Sequence, residues 1–144
     1  MSSPGSSTEL TRRRARKREP VSREPVSLKG RRVLLVEDSP VVAPFTAELL
    51  SELGCVVVGP APNMAAAREL IEAGEFDAAL MDVHIRGVRV FPLCEALAAK
   101  GVPFVLTSGY ADWQMPDKWQ DRPRVQKPYT LDQLKDALAG ALAG

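Results

Sequence analysis

Hydrophobic residues occur along the chain as short continuous runs that alternate with helical stripes. Short apolar runs bounded by charged residues, Gly or Pro are typical of strands buried on both faces. The predicted strands of this kind are residues 33–36, 55–58, 78–81 and 102–106. A fifth strand must then be residues 124–126, just before Lys127 and Pro128. The predicted helices are residues 39–53, 64–73, 90–100 and 131–142. Strands that alternate with helices predict a parallel sheet covered on both faces.

Capping residues support the helix boundaries. Ser39 and Asn63 are placed to cap the first two helices. Pro44 is awkward inside the first helix and is expected to delay or bend its first turn. Thr130 and Gln133 form a capping box that opens the last helix.

The segment between Tyr110 and Arg124 has no helical stripe and is rich in Pro, Trp and Asp. Any helix there is predicted to be short or irregular, and it takes the place of the fourth helix. Five strands in this arrangement fit a doubly wound α/β fold with the flavodoxin-like strand order 2-1-3-4-5. In such a sheet, ligands bind outside the carboxyl ends of strands one and three.

The net charge of +1 hides an uneven distribution along the chain. Residues 1–32 hold ten basic and three acidic side chains, whereas the remainder holds nine basic and fifteen acidic ones. Because the first stretch is charged and poor in apolar residues, we predict a disordered basic tail over residues 1–31. Residues 32–144 have the length of one domain.

The remaining composition indicates a cytoplasmic protein. No apolar run reaches the roughly 18 residues of a membrane helix, and no apolar core follows the N-terminal charges as in a secretory signal. Cys55 and Cys94 lie far apart without a CxxC pair, which predicts two buried, reduced thiols. Together with the single His84 they are too few for a zinc site.

Polar residues follow the predicted strands where the ligand crevice is expected. Glu37 and Asp38 end the first strand and Asp82 ends the third, so three carboxylates converge. At an effective dielectric near 20, two charges about 4 Å apart repel by roughly 4 kcal/mol. Such a cluster either raises a carboxyl pKa or holds a divalent cation, and oxygen ligands in an open crevice suit Mg²⁺.

Two further strand ends add groups that bind phosphate. Thr107 and Ser108 offer hydroxyls at the end of the fourth strand, and Lys127 follows the fifth. A carboxylate, a metal, a hydroxyl and an ammonium around one point are typical of phosphoryl transfer to a carboxylate.

Four motifs at these strand ends resemble the receiver domain of two-component response regulators. They are Val33-Leu34-Leu35-Val36-Glu37-Asp38, Leu80-Met81-Asp82, Val105-Leu106-Thr107-Ser108 and Val125-Gln126-Lys127-Pro128-Tyr129. The resemblance implies a CheY-like fold and reversible phosphorylation of an aspartate by a histidine kinase or a histidine phosphotransfer protein.

The resemblance also implies a role for each matching residue. Asp82 matches the phosphoacceptor, and Glu37 and Asp38 match the acidic pair. Asp38 and Asp82 correspond to direct Mg²⁺ ligands, with the backbone carbonyl of His84 as the third protein ligand. Glu37 stands where many receivers have Asp.

The switch residues match less completely. Thr107 corresponds to the hydroxyl that follows the phosphoryl group, with Ser108 as the alternative, and Lys127 corresponds to the lysine that pairs with that group. Arg124 stands where receivers usually carry a switching aromatic, and Tyr110 is a candidate substitute.

Pro103-Phe104 and the run Thr107-Ser108-Gly109-Tyr110 are similar to the atypical "FAT GUY" receivers, although Leu106 replaces the Ala of that motif. These are often stand-alone partners of HWE or related kinases. Because two residues follow the last predicted helix, we expect no output domain, and signalling by contact with an unidentified downstream protein or as a phosphate relay or sink.

Two alternatives remain at this stage. The first is a Mg²⁺-dependent phosphohydrolase or nuclease, although the first and third strands lack the DxD spacing of such enzymes. The second is binding of nucleic acid by the basic tail. The favoured interpretation is a protein that is not an enzyme, binds no nucleic acid and does not insert into a membrane.

Overall fold

Residues 27–109 and 116–143 are described by a computed structural model. Within these residues the strands are Arg32–Val36 (β1), Val56–Ala61 (β2), Ala78–Asp82 (β3), His84–Ile85 (β4), Val88–Arg89 (β5), Phe104–Ser108 (β6) and Arg124–Gln126 (β7). The α-helices are Val42–Glu52 (α1), Met64–Ala73 (α2), Phe91–Ala99 (α3) and Leu131–Ala143 (α4), and Asp117–Trp119 forms one turn of 3-10 helix.

Five of the strands form one parallel sheet in the order β2-β1-β3-β6-β7. When the short strands β4 and β5 are set aside, this is the predicted order 2-1-3-4-5. The central strands are almost fully buried, as expected for a parallel sheet with helices on both faces. The predicted doubly wound, flavodoxin-like fold is confirmed.

Alternating residues of the strands serve two separate cores. Leu34 and Val36 of β1 pack in the core beneath α2 and α3, which supply Ile71 and Leu97 among others. Val33 and Leu35 point to the opposite face, where α1 and α4 cover them. Successive side chains of a strand point to opposite faces of the sheet. One set of strand side chains therefore packs against α2 and α3, and the other set packs against α1 and α4.

The first helix starts later than predicted. The Ser39 hydroxyl accepts hydrogen bonds from the backbone N–H groups of Val41 and Val42, but these close a turn ahead of α1. The helix itself begins at Val42. Pro44 then falls in the first turn, where a backbone N–H has no intrahelical partner, so its ring causes no loss of a helical hydrogen bond.

Two strands begin and end later in the sequence than predicted. Cys55 donates its N–H to Leu50 at the end of α1, so β2 begins one residue later than predicted and continues to Ala61. The predicted strand 102–106 is observed as β6 over Phe104–Ser108. The N–H of Val102 donates a hydrogen bond to the carbonyl of Leu97 in α3, so it is not available to the sheet.

A two-stranded hairpin between β3 and α3 was not predicted. His84 pairs with Arg89 and Ile85 pairs with Val88 in antiparallel register. The two residues between them, Arg86 and Gly87, both have positive φ angles of 53° and 76°. Such a two-residue turn is the ordinary connection of a tight hairpin, and Gly87 is the sequence signal for it.

Trp119 anchors the described end of the connection between β6 and β7, residues 116–123, to the core. Trp119 is buried and packs edge-on against Phe104 with ring centroids 5.6 Å apart. The Arg122 guanidinium lies over both rings, 4.8 Å from the centroid of Phe104 and 5.3 Å from that of Trp119. The short 3-10 turn agrees with the prediction of a short or irregular fourth helix, whereas Tyr110 and Trp113 lie outside the described residues.

Contacts with the core begin ahead of β1. Leu28 is buried among residues of the α1 and α4 face, and Gly30 donates its N–H to the Gly54 carbonyl. Most of the predicted basic tail, residues 1–26, lies outside the described residues. Cys55 and Cys94 are buried and unpaired, as predicted. Among the described helices, none has the length and apolar character needed to cross a membrane.

We predict that burial of Trp119 makes a large contribution to the stability of the domain. Trp119→Ala should lower the free energy of unfolding by about 3–5 kcal/mol, because it removes a buried aromatic ring and leaves a cavity. Urea denaturation of the purified protein measures this change.

The neighbouring Lys118→Ala is the matched control. Lys118 pairs with Glu95 at 2.9 Å, but both side chains are more than half exposed. Its loss should cost less than about 1 kcal/mol. Equal effects of the two substitutions would contradict the role assigned to the tryptophan.

Candidate functional site

The parallel register brings four polar positions to the same edge of the sheet. Val36 pairs with Met81, so Glu37 and Asp82 follow adjacent strand positions. Asp82 pairs with Thr107 across β3 and β6. Lys127 comes directly after β7 and donates its backbone N–H to the Ser108 carbonyl at 2.7 Å.

Three carboxylates meet at this edge. Glu37, Asp38 and Asp82 each place one oxygen within 4.8 Å of the others. Glu37 is only 3% exposed, and the two aspartates are half-buried. The acidic cluster expected at the carboxyl ends of the first and third strands is therefore present in the geometry.

The ammonium of Lys127 bridges two members of the cluster. Its Nζ lies 2.6 Å from Asp82 Oδ2 and 2.9 Å from Glu37 Oε1, and the lysine side chain is 18% exposed. Hydrogen bonds between ionised groups are short and strong when partly removed from water. Lys127 supplies one positive charge to a cluster of three carboxylates, so it offsets one of their three negative charges when all are ionised.

Burial and pairing act in opposite directions on the pKa values of this ion pair. Burial raises the pKa of Glu37 above its ordinary value, although hydrogen bonds from Lys127 and from the Ser39 backbone oppose the rise. For Lys127, burial alone lowers the pKa, but hydrogen bonds to Asp82 and Glu37 outweigh it and raise the pKa overall. The lysine is therefore a cation at neutral pH.

Backbone N–H groups hold the other carboxylate oxygens. The N–H of His84 donates to Asp82 Oδ1 at 3.0 Å, and that of Ser39 donates to Glu37 Oε2 at 3.1 Å. The N–H of Arg86 donates to Asp38 Oδ2 at 2.7 Å. Sequence reasoning missed this last contact, because it depends on the β4–β5 hairpin that folds over the cluster.

The hydroxyl of Thr107 is buried beside this cluster without a hydrogen-bond partner among the described residues. A buried hydroxyl without a partner costs free energy, and such groups in native structures usually have a functional reason. Ser108 is also buried, and its backbone carbonyl accepts the Lys127 N–H. Thr107 is thus the hydroxyl that the register places opposite Asp82.

The remaining candidate residues lie farther away or outside the described part. Arg124 is exposed at the start of the edge strand β7, paired in register with Leu106. It lies at the opposite end of this short strand from Lys127. Tyr110, the candidate substitute switch, lies outside the described residues.

Sequence reasoning also missed a buried hydrogen bond next to the cluster. The hydroxyls of Thr46 and Tyr129 lie 2.5 Å apart, and both side chains are buried. Ala43, Thr46 and Leu50 occupy the buried face of α1. A threonine in this apolar stripe was the signal that a buried polar partner exists.

An apolar hollow of about 330 Å³ adjoins the site. It is lined by Val42, Phe45, Gly109, Lys127, Pro128 and Tyr129. Val41 and Phe45 of this region are large apolar side chains that are 76% and 51% exposed. Exposed apolar surface beside a charged site is typical of a protein-binding surface.

The donor set fits Mg²⁺. The groups that converge are carboxylate oxygens, which this hard cation prefers, and the cluster contains no thiolate or imidazole that would favour zinc. The negative charge that Lys127 does not offset supplies the electrostatic attraction.

Comparison with known proteins agrees with this geometry. A model of the response regulator receiver domain matches residues 33–139. The solution structure of SdrG from Sphingomonas melonis Fr1 is similar, with a TM-score of 0.72 and 38% identity over 83% of this chain and 99% of that one. None of the curated protein sequences matches.

Two further structures show the same fold. The BeF3-activated conformation of SdrG from Pseudomonas melonis Fr1 has a TM-score of 0.68 and 39% identity over 77% of this chain and 95% of that one. The response regulator PhyR from Brucella abortus has a TM-score of 0.67 and 24% identity over 79% of this chain and 48% of that one. With the sheet order and the polar strand ends described above, the match to most of its length places this chain in the family of response regulator receiver domains, which act in two-component signalling.

Proposed function

We propose that the protein is a single-domain response regulator that is reversibly phosphorylated on Asp82. The observation that carries this proposal is the arrangement around that residue. Lys127 holds one oxygen of Asp82, and the Thr107 hydroxyl, which has no partner in the described part of the chain, belongs to the residue paired with Asp82 in register. An ammonium and a free hydroxyl beside one carboxylate are the groups that a phosphoryl group on that carboxylate requires.

The reaction is an in-line phosphoryl transfer. A carboxylate oxygen of Asp82 attacks the phosphorus of a phosphohistidine or an acyl phosphate, and a new P–O bond forms as the bond to the leaving group breaks. The imidazole or carboxylate of the donor leaves with the bonding electrons. The product is a mixed anhydride on Asp82, which water later hydrolyses to restore the carboxylate.

Mg²⁺ is the proposed cofactor. Asp38 and Asp82 would hold it directly, Glu37 directly or through water, and the backbone carbonyl of His84 is the proposed third protein ligand. When bound, the ion offsets negative charge on the transferred phosphoryl oxygens. The Arg86 N–H already holds one Asp38 oxygen in place, which limits the ways in which that carboxylate rotates toward the ion.

Phosphorylation is proposed to switch the domain through Thr107 and Lys127. The phosphoryl group adds about two negative charges and three acceptor oxygens next to both side chains. Thr107 gains the hydrogen-bond partner that it lacks among the described residues, and Lys127 exchanges a carboxylate for a phosphoryl oxygen. Both residues adjoin the chain that leads into the β6–β7 connection, where the signal is expected to emerge.

The donor is proposed to be a histidine kinase or a histidine phosphotransfer protein. Val41 and Phe45 project apolar surface from α1 beside the hollow that Lys127 and Pro128 line. A helical partner that docks there would bring a phosphohistidine to Asp82. Output is proposed to be contact with a downstream protein in the cytoplasm, or relay of the phosphoryl group, without turnover of a small-molecule substrate.

We predict stoichiometric labelling by a small acyl phosphate. Incubation with acetyl phosphate and Mg²⁺ should add one phosphoryl group per chain, because Asp82 is the carboxylate of the cluster that both pairs with Lys127 and lies in register with Thr107. Intact-mass spectrometry measures the addition. Removing Mg²⁺ with a chelator should abolish it.

Asp82→Asn should prevent labelling, whereas Asp121→Asn, which alters an exposed carboxylate ahead of β7, should not. If acetyl phosphate is ineffective, a cognate kinase replaces it as donor. Labelling that persists in Asp82→Asn, continuous turnover of the donor as in a phosphohydrolase, or no labelling by either donor would refute the proposal.

We also predict a trade-off at Thr107. Thr107→Val should raise the free energy of unfolding of the unphosphorylated protein by about 1 kcal/mol. The substitution replaces a buried hydroxyl, which has no partner within residues 27–109 and 116–143, by a methyl group of similar shape. Beryllofluoride, an analogue of the phosphoryl group, should stabilise the wild type more than the variant. Urea denaturation with and without this analogue measures both effects.

Thr46→Val is the control for that substitution. The Thr46 hydroxyl is bonded to Tyr129, so its removal should lower the free energy of unfolding by about 1–2 kcal/mol. If Thr107→Val lowers the free energy of unfolding as Thr46→Val does, the Thr107 hydroxyl is not an unsatisfied group.

A further inference from the structure

The Thr46–Tyr129 hydrogen bond joins two parts of the chain that are 83 residues apart. Thr46 lies on the buried face of α1 and is 0% exposed. Tyr129 is buried and lies two residues after Lys127, in the segment between β7 and α4. The hydrogen bond is therefore formed by tertiary structure alone.

This hydrogen bond is one of two anchors on either side of the Lys127 side chain. The first anchor is the backbone hydrogen bond from Lys127 N–H to the Ser108 carbonyl at 2.7 Å. Pro128 follows and has no N–H to donate. Tyr129 then attaches the chain to α1 through its hydroxyl. The position of the lysine backbone is thus determined by the sheet on one side and by α1 on the other.

The same contacts form a closed circuit through the site. Glu37 accepts a hydrogen bond from the Ser39 N–H, and the Ser39 hydroxyl accepts one from the N–H of Val42 at the start of α1. One helical turn later Thr46 bonds to Tyr129. The circuit closes because Lys127 returns to Glu37 at 2.9 Å.

We propose that Thr46 and Tyr129 are a positioning pair that sets the placement of the Lys127 ammonium relative to Asp82 and Glu37. Through Lys127, the pair controls the rate at which a phosphoryl group enters Asp82. This step rests on the proposed phosphorylation of Asp82. Neither residue contacts the reacting atoms; both act through the chain segment that carries the lysine.

The physical basis is the steep distance dependence of a charge-assisted hydrogen bond. The ammonium lies 2.6 Å from Asp82 Oδ2, so a displacement of the Lys127 backbone lengthens this contact directly. A misplacement of about 1 Å costs up to roughly a hundredfold in the rate of an enzyme reaction. Loss of the hydroxyl pair also leaves one buried hydroxyl without a partner, which favours movement of the segment away from α1.

The experiment measures two properties of Tyr129→Phe, Thr46→Val and the double variant. The first is the rate constant of Asp82 labelling by acetyl phosphate with Mg²⁺. We expect each single variant to be about tenfold slower than the wild type. The double variant should be no slower than the slower single one, because the two hydroxyls act as a unit. Thr46→Ser retains the hydroxyl and should restore most of the rate.

The second property is the NMR signal of the Lys127 side chain, which needs no phosphorylation. The two Hε protons of a fixed lysine have different chemical shifts, whereas those of the exposed Lys135 should coincide. We expect the Lys127 pair to be separated in the wild type and in Thr46→Ser, and to merge in Tyr129→Phe.

Leu138→Val controls for loss of stability alone. Leu138 is fully buried on α4 in the same core, but it is no member of the circuit. This variant should unfold at lower urea concentration than the wild type and still be labelled at the wild-type rate. If Tyr129→Phe behaves in the same way, with separated Lys127 signals, the pair is structural only and the inference is overturned.

Failure of the proposed function gives a different pattern. If the wild type is labelled by neither acetyl phosphate nor a kinase, phosphorylation of Asp82 is refuted, and the NMR signals alone decide whether the pair positions Lys127. Merged signals in Tyr129→Phe then support the positioning claim, and separated signals reject it.

Discussion

The bridge from Lys127 to Asp82 and Glu37 is the interaction on which the organisation of this domain depends. It joins the ends of three strands that are distant in sequence, and it compensates part of the charge of a carboxylate cluster that is partly removed from water. Leaving a buried charge without its partner costs about 3–5 kcal/mol. The bridge therefore requires the sheet register to be exact to one residue, and the pairing of Val36 with Met81 and of Ser108 with Gln126 supplies that register.

Much of this arrangement could be predicted from the sequence, because the carboxyl ends of all strands in a parallel sheet lie at the same edge. The position of a residue at the end of a predicted strand therefore gives its place in the fold. A polar residue directly after a continuous apolar run lies at the carboxyl edge of a parallel sheet, which predicts that Glu37 and Asp82 lie near one another. Lys127 follows a short strand with one apolar residue, Val125, and its place at the same edge follows from the alternation of strands and helices. The strand order followed from the alternation of strands and helices. Boundaries were less predictable: the start of α1 depends on a turn closed by Ser39, and the start of β6 depends on how the end of α3 uses the N–H of Val102.

What the pattern missed are contacts that exist only after the chain has folded. The β4–β5 hairpin is too short to leave a periodic signal, yet its backbone holds Asp38 through Arg86. Trp119 replaces a helical stripe as the anchor of the β6–β7 connection, and its partner Phe104 lies on a strand. In both cases a single tertiary contact fixes the position of a segment. Such a contact involves too few residues to produce a repeating pattern in the sequence, so it cannot be predicted from hydrophobic periodicity.

Two buried threonines show how the same side chain serves opposite purposes. Thr46 has its hydrogen bond and ties α1 to the segment that carries Lys127. Thr107 lacks a partner among the described residues, although it lies in a fully buried strand of the sheet. If Thr107 were only a scaffold residue, valine would serve better, since it fits a strand equally well without an unsatisfied hydroxyl. The cost is understandable when the hydroxyl is kept for a group that is present only part of the time. That reasoning points to a ligand at Asp82, its partner in the register, independently of any resemblance to other proteins.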